Sequence, residues 1–545
     1  MGDPKSLSSD YRAARYRWSD LTVFATVALF LFFGGLLSAA EPPPLSTAQE
    51  GDDELVMEFK RFYSKDRSVR ERIEAILVLD GVNTLEATKV LSEVFDDDDF
   101  KVRQAAIDTI GSYDGLGSSQ FLIETFLTNK REKNVQRKAC AAEALGMMGA
   151  VAAVGPLAEA FKKTKDWDLK RAIATALGSI KAEEGIPVLL GLLEDKDPTL
   201  RITAIDALGE IRLPELYQDK IFHAMANDSN WQVRAAAIGS ARLLRTLECI
   251  QPLIDRLREE EGRLRGDAYL VLKDLTFNTY SDDAEQWQKF WDRAKGNYEL
   301  PDYDKVMAER KKRATEGTRY SDANAQFVGI PTKSKRIIFV IDISGSMETQ
   351  VVEIDRFRAD GKDYASFQRL EIVKTELINT IENLGANVEF NILAFATDLK
   401  WWKKRLVGSN ILNRNSAKKF VKGLKPLGGA LAGFRSRAGI SQSALEQGKT
   451  NTFGALMAAL GVPEDSSSRT YDRNLKSDVD TIYFLSDGAP TVGKVIDQDE
   501  ILAEVKRVNK VRKIVLHTIA IGDFRKTLMK ALAKGNNGVY VDLGK

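Results

Sequence analysis

The chain of 545 residues is too long for one hydrophobic core, and its composition, 44% hydrophobic and 29% charged, is ordinary for a globular protein. The 79 basic and 78 acidic side chains nearly cancel, so no strong field attracts nucleic acid and we expect no nucleic-acid partner. His223 and His517 are the only histidines and stand far apart, which disfavours a histidine metal site and Ser-His-Asp hydrolysis. We therefore expect several domains and no enzymatic activity.

The N-terminal segment has the pattern of an export signal or a membrane anchor. A polar stretch with four basic residues, 1–20, precedes an apolar run that ends in small residues, 21–40. The uncharged part of this run also approaches the length of about 20 residues that a membrane span needs. The sequence predicts a cleaved signal peptide or a retained anchor at 21–40, followed by a linker at 41–53, and it places the remainder outside the cytoplasm. A buried helix of a soluble domain is the less favoured interpretation.

A basic residue followed by small and apolar residues at helical spacing recurs every 31 to 35 residues between 54 and 300. The recurring basic positions are Arg70, Arg103, Lys138, Lys170, Arg201, Arg234 and Arg265. Each unit has an apolar helix face that can be buried only against its neighbours, which predicts seven stacked units. We expect the basic residue to tie each unit to an acidic turn of the next.

These units resemble HEAT-like repeats of a short kind, on the signatures VRQAAIDTIG and LRITAIDALG. The resemblance implies an α-solenoid that serves as a protein-binding scaffold, although the period is shorter than the roughly 40 to 47 residues of standard HEAT units. Cys140 and Cys249 fall several units apart, beyond disulfide reach, so we expect buried thiols. A charged stretch without an apolar face follows the solenoid and predicts a linker at 301–333.

From 334 to 545 short β-branched runs alternate with amphipathic helices. The runs IIFVID, NVEFNILAFAT, VDTIYFLSD and KIVLHTIAIG are typical of strands. This alternation predicts a doubly wound, Rossmann-like α/β domain with a mostly parallel sheet that is covered on both faces. In such sheets ligands bind at the carboxyl ends of the strands.

Five oxygen donors are expected at that edge of the sheet, on three loops. They are Asp342, Ser344, Ser346, Thr450 and Asp487. Hard oxygen ligands with two carboxylates suit Mg²⁺ or Mn²⁺ and exclude the sites that zinc or copper prefers. Hydroxyls leave such an ion only partly neutralised, so it should seek an anionic ligand from outside. The alternative is that these side chains merely cap turns and helices at strand ends.

Residues 334 to 545 resemble a von Willebrand factor type A domain with a metal ion-dependent adhesion site. The D-x-S-x-S motif matches Asp342-Ile-Ser344-Gly-Ser346, the threonine loop matches Thr450 in GKTNTFGAL, and the S-D-G loop matches Asp487 in LSDGAPT. The resemblance implies that Ser344, Ser346 and Thr450 ligate the metal and that Asp342 and Asp487 hold it directly or through water. It also implies that an acidic residue of a protein partner completes the coordination.

Two insertions, 348–367 and 427–447, depart from the family pattern and should border the site. Their basic residues are Arg356, Arg358, Arg435 and Arg437. We favour the interpretation that these side chains are simply exposed to solvent over the interpretation that they recognise an acidic ligand.

Taken together, the sequence predicts an exported, metal-dependent adhesion or complex-assembly protein with a HEAT-like scaffold. One alternative makes the solenoid the binding surface and the metal site structural. A metal-dependent phosphohydrolase is disfavoured, because haloacid dehalogenase-like phosphatases carry a second, general-acid Asp where this chain has Ser344.

Overall fold

The computed structural model describes residues 45–312, 325–359, 364–428, 446–463, 475, 478–522 and 526–543. The chain divides into two compact units, 1–54 and 55–545, and the second contains both predicted modules. Across the described ranges, no helix is both long enough and apolar enough to cross a membrane. The predicted signal or anchor at 21–40 lies outside those ranges.

Residues 45–312 form helices that are joined by loops and short turns. The helices are α1 (Leu45–Phe62), α2 (Val69–Leu77), α3 (Leu85–Glu93), α4 (Phe100–Gly111), α5 (Leu116–Leu122), α6 (Val135–Met148), α7 (Val154–Lys163), α8 (Trp167–Ile180), α9 (Ile186–Leu192), α10 (Pro198–Ile211), α11 (Gln218–Asn227), α12 (Trp231–Leu244), α13 (Ile250–Glu259), α14 (Gly262–Thr276), α15 (Ala284–Ala294) and α16 (Tyr303–Lys312). The last of these lies in the stretch that the sequence predicts as a linker.

The seven recurring basic positions fall on seven helices, α2, α4, α6, α8, α10, α12 and α14, which are the second helices of the repeats. These helices stack on one another in a continuous row. Their small residues allow very close packing: a Cβ added at Gly178 of α8 would lie 2.7 Å from the Cα of Ala207 on α10. The α-solenoid predicted from the repeat is therefore confirmed, and Cys140 and Cys249 are buried thiols within it.

In the middle of the stack the basic residue reaches the acidic turn of the next repeat, as predicted. The ion pairs are Lys170–Asp195, Arg201–Asp228 and Arg234–Glu260, each with a nitrogen–oxygen distance of 2.7 Å. Arg70 at the N-terminal end instead pairs with Glu74 of its own helix, and both side chains are exposed.

The C-terminal module combines strands and helices. The strands are β1 (Ala325–Phe327), β2 (Ile330–Thr332), β3 (Arg336–Asp342), β4 (Glu389–Phe395), β5 (Leu399–Trp401), β6 (Val407–Gly408), β7 (Thr481–Ser486), β8 (Val515–Ala520) and β9 (Tyr540–Asp542). The helices are α17 (Ile354–Ala359), α18 (Arg369–Glu382), α19 (Ile411–Lys422), α20 (Thr452–Ala459), α21 (Gln498–Arg512) and α22 (Thr527–Gly535).

The main sheet has the strand order β5-β4-β3-β7-β8-β9, and β6 also pairs with β4. Strands β3, β4, β7, β8 and β9 are parallel, whereas β5 and β6 run antiparallel to β4. Helices α18 and α19 bury their apolar residues on one face, and α20, α21 and α22 on the other. The predicted doubly wound fold is confirmed, and its strand order reverses between β3 and β7, where such sheets bind ligands.

The row of second helices in the solenoid contacts helix α21 of the C-terminal module. Lys513, just after α21, forms an ion pair of 2.8 Å with Asp206 of α10. The guanidinium of Arg507 lies over the ring of Phe100, 4.9 Å from its centroid, and Val511 is buried among apolar side chains of the solenoid. Part of the solenoid surface is therefore used within the chain itself.

Candidate metal centre

Three loops meet at the carboxyl end of the sheet. The first follows β3 at Asp342, the second precedes α20 and carries Thr450, and the third follows β7 at Asp487. The backbone N–H of Gly345 in the first loop donates to the carbonyl of Gly448 in the second, at 3.0 Å. Parallel strands on either side of the reversal bring together residues that are far apart in the sequence.

Asp342 is fully buried at the end of β3. Its Oδ1 accepts a hydrogen bond of 2.8 Å from the backbone N–H of Ser344, and its Oδ2 accepts one of 2.6 Å from the hydroxyl of Ser486. Burial, reinforced by the nearby charge of Asp487, raises the pKa of Asp342 to about 7. A cation beside this carboxylate would favour its ionised form.

The two serines of the first loop lie between Asp342 and Asp487. The Oγ atoms of Ser344 and Ser346 are 3.1 Å apart, and the hydroxyl of Ser346 donates to Oδ1 of Asp487 at 2.6 Å. Asp342, Ser344 and Asp487 are buried, but Ser346 is exposed. The cluster is therefore open to solvent on the side of Ser346.

Thr450 is buried, and its backbone N–H donates to the hydroxyl of Thr491 at 2.8 Å. A Cβ added at Gly488 would lie 3.8 Å from both the Thr450 Oγ1 and the Ser346 Oγ, so these hydroxyls flank the same point. The structure thus brings all five sequence-predicted residues to one edge of the sheet.

Arg369 is a member of this cluster that the sequence reasoning missed. Its Nη1 donates to Oδ2 of Asp487 at 2.8 Å, and its side chain is only 12% exposed. The residue begins α18, directly after the insertion 348–367 whose arginines were considered for the site. A basic residue at the first turn of the helix after a site-bordering loop was the available signal.

The donor set fits a hard divalent cation, because it offers two carboxylates and three hydroxyls and no sulfur or nitrogen ligand. Among the residues that the structure describes, no cluster of three or more His, Cys, Asp and Glu side chains could hold a metal by itself. Burial also raises the pKa of Asp487, in spite of its bonds to Ser346 and Arg369.

Of the four arginines in the two insertions, only the side chain of Arg358 lies in the described part of the chain. Arg358 is exposed and pairs with Asp355 of its own helix at 3.1 Å. The side chains of Arg356, Arg435 and Arg437 lie outside the described part of the chain.

Comparison with known proteins identifies both modules. A family model for HEAT repeats matches residues 60–146, 155–219 and 186–273, and a model for the von Willebrand factor type A domain matches residues 362–542. These matches agree with the two resemblances seen in the sequence. Domains of the second family commonly bind a divalent metal through a metal ion-dependent adhesion site.

The chain is similar to inter-alpha-trypsin inhibitor heavy chain H4 of Homo sapiens, at 27% identity over 188 residues that cover 33% of this chain and 16% of that protein. Heavy chain H6 of Homo sapiens is 27% identical over 213 residues, or 39% of this chain and 13% of that protein. The chain therefore spans less than a fifth of the length of these two relatives.

Among solved structures, an aerotolerance-related membrane protein from Bacteroides fragilis shares 15% identity and a TM-score of 0.24, covering 38% of this chain and 90% of that one. The complex of CpcE and CpcF of phycocyanin lyase from Nostoc shares 17% identity and a TM-score of 0.27, covering 48% and 99%.

The chain carries HEAT repeats followed by a von Willebrand factor type A domain.

Proposed function

We propose that this protein binds a partner protein through a divalent cation, Mg²⁺ or Mn²⁺, held by Asp342, Ser344, Ser346, Thr450 and Asp487. The bound cation would supply an open coordination position for a carboxylate of the partner. The protein's own residues hold the ion in place and leave the side of Ser346 accessible. The role is recognition rather than catalysis.

One observation carries this proposal: two buried carboxylates and three hydroxyls converge at one solvent-accessible edge of the sheet. Two buried carboxylates in such proximity repel one another when both are ionised. Burial raises the pKa of Asp342, and the nearby charge of Asp487 adds to that rise. A divalent cation at this edge would relieve the repulsion, and it would still carry positive charge for an acidic ligand.

The solenoid supports this role as a scaffold for the adhesion domain. Its second helices contact α21 through the ion pair between Lys513 and Asp206 and through apolar packing. That contact leaves Ser346 exposed. The predicted location outside the cytoplasm depends on residues 21–40 and is part of the proposal.

Manganese binding to the purified protein tests the proposal. We expect the spectroscopic signal of free Mn²⁺, followed by electron paramagnetic resonance, to fall when the wild-type protein is added. The Asp342→Ala variant should bind at least about 100-fold more weakly, since it lacks a central carboxylate. Excess Mg²⁺ should displace the bound Mn²⁺ from the wild-type protein.

The matched control is Asp355→Ala, which removes an exposed carboxylate from α17. It should bind Mn²⁺ as the wild type does. Equal binding by the Asp342→Ala variant and the wild type would overturn the proposed site. Binding of a captured partner that persisted in chelator would favour the alternative in which the solenoid is the main binding surface.

A further inference from the structure

The metal-site carboxylate Asp487 already has a cationic partner within the chain. Its Oδ1 accepts a hydrogen bond from Ser346 and its Oδ2 accepts one of 2.8 Å from the guanidinium of Arg369. The side chain of Asp487 is completely buried, and that of Arg369 is 12% exposed. Interactions between charges are strong where so little water screens them.

The surrounding backbone is shaped around this arginine. A Cβ added at Gly522 would lie 2.6 Å from the Cζ of Arg369, so a side chain at position 522 would occupy the space of the guanidinium. The backbone N–H of Arg369 donates to the carbonyl of Thr349 at 2.9 Å, which ties the start of α18 to the loop that carries Ser346. The fold therefore leaves space for the guanidinium and holds it beside the residues of the proposed metal site.

The charge of Arg369 affects how strongly the cluster can bind a metal ion. The cluster has two carboxylates, Asp342 and Asp487, and Arg369 neutralises one of them in the protein without metal. A divalent cation would enter beside a permanent positive charge, because a guanidinium does not lose its proton in proteins. Repulsion by that charge weakens metal binding, and a carboxylate brought by a partner would offset it.

We propose that the positive charge of Arg369 keeps the free protein's affinity for divalent metal low. Stable metal binding would then depend on the partner's carboxylate. This inference rests on the proposed metal-dependent function. It names Arg369 as the residue that couples metal binding to partner binding. In the absence of metal, the same residue stabilises the buried Asp487.

The test is to measure Mn²⁺ affinity of the full chain for the wild type and for Arg369→Gln, without any partner. We expect Arg369→Gln to bind Mn²⁺ about tenfold more tightly or better, because the repelling charge is gone. Arg369→Lys keeps the charge and should remain close to the wild type. Arg70→Gln removes an exposed arginine of the solenoid and should change nothing.

Thermal unfolding, measured in chelator and in Mg²⁺, provides a second readout, and the response to Mg²⁺ separates the inference from a purely structural role. In chelator, Arg369→Gln should unfold at a lower temperature than the wild type, since Asp487 loses its partner. Saturating Mg²⁺ should raise the unfolding temperature of Arg369→Gln more than that of the wild type. A purely structural role would lower stability and metal affinity together.

Unchanged or weaker Mn²⁺ binding by Arg369→Gln would overturn the inference. If the wild type still bound Mn²⁺ and Asp342→Ala did not, the proposed function would stand without it. If neither the wild type nor Arg369→Gln bound the metal, both proposals would fail.

Discussion

The solenoid and the C-terminal module differ in how far apart in the sequence their polar partners lie. In the solenoid, Arg201 pairs with Asp228 of the next repeat, 27 residues along the chain. In the C-terminal module, Ser346 donates to Asp487 across 141 residues, and Ser486 donates to Asp342 across 144. The first pattern repeats along the chain, whereas the second occurs at a single point where distant strands end.

This difference shows which contacts stabilise the solenoid and which contacts form the strand-end site of the C-terminal module. A stack of repeats is stabilised by many nearest-neighbour contacts, so each tie contributes a small, local share. A site at the reversal of a parallel sheet exists only when the whole sheet has formed. Stability is therefore distributed along the first module, and the proposed binding site of the second lies at one point.

The largest expected effect is at a close approach between two repeats, at Gly178. Gly178→Ala should destabilise the solenoid by about 3 kcal/mol, because its Cβ would meet the backbone of α10 at Ala207. Urea unfolding followed by circular dichroism would measure this. Gly191→Ala on α9 meets no atom within 4 Å and should be neutral or stabilise by up to about 1 kcal/mol. Equal effects would show that the repeats are not tightly packed there.

A second prediction concerns the acid stability of the C-terminal module. His517 is buried on β8, where burial lowers its pKa from 6.5 to about 3. The unfolded chain binds a proton in this window and the folded domain does not, so stability falls as the pH decreases from 6.5 toward 3. Between pH 7 and 4.5 the wild type should lose about 2 to 3 kcal/mol more than His517→Gln.

The control for this experiment is the comparison at pH 7. There His517→Gln should be the less stable protein, because the ring stacks on Tyr483 and accepts a hydrogen bond from the backbone N–H of Val539. Urea unfolding of both proteins at the two pH values gives the difference. The same loss of stability in both proteins would assign the acid sensitivity to other groups.

The smallest expected effect is that of removing a recurring basic residue, which tests whether its ion pair with the next repeat stabilises the solenoid. Arg201 forms two bonds with Asp228 and donates to the carbonyl of Asp195, and its side chain is largely buried. Arg201→Ala should cost about 2 kcal/mol in urea unfolding. Arg70→Ala, in an exposed pair within one helix, should produce no measurable change. A similar loss in both variants would argue against the inter-repeat tie as the source of stability.

Much of the fold followed from the sequence. The spacing of Arg201 and its counterparts predicted the repeat helices, because a helix with one apolar face must bury it against a neighbour. The buried strands β3, β4, β7 and β8 were predicted as continuous apolar runs. Shorter strands were missed, including β9 at the edge of the sheet, since three residues carry too little periodicity.

The positions of the five oxygen donors were predicted because the carboxyl ends of parallel strands share one edge of a sheet. Arg369 was missed, because its approach to Asp487 depends on how α18 is positioned after the insertion and on the space left by Gly522. The contact between Lys513 and Asp206 was missed as well, since 307 residues separate them and each is an ordinary surface charge in the sequence.

The sequence by itself determined the two modules, the repeat register and the oxygen-bearing side chains at the strand ends, because these depend on local periodicity and on residue type. The tertiary structure alone decided that Asp487 has a cationic partner and that the solenoid packs against α21. Such contacts join side chains from separate elements, and their energies depend on burial and distance, which exist only once the chain has folded.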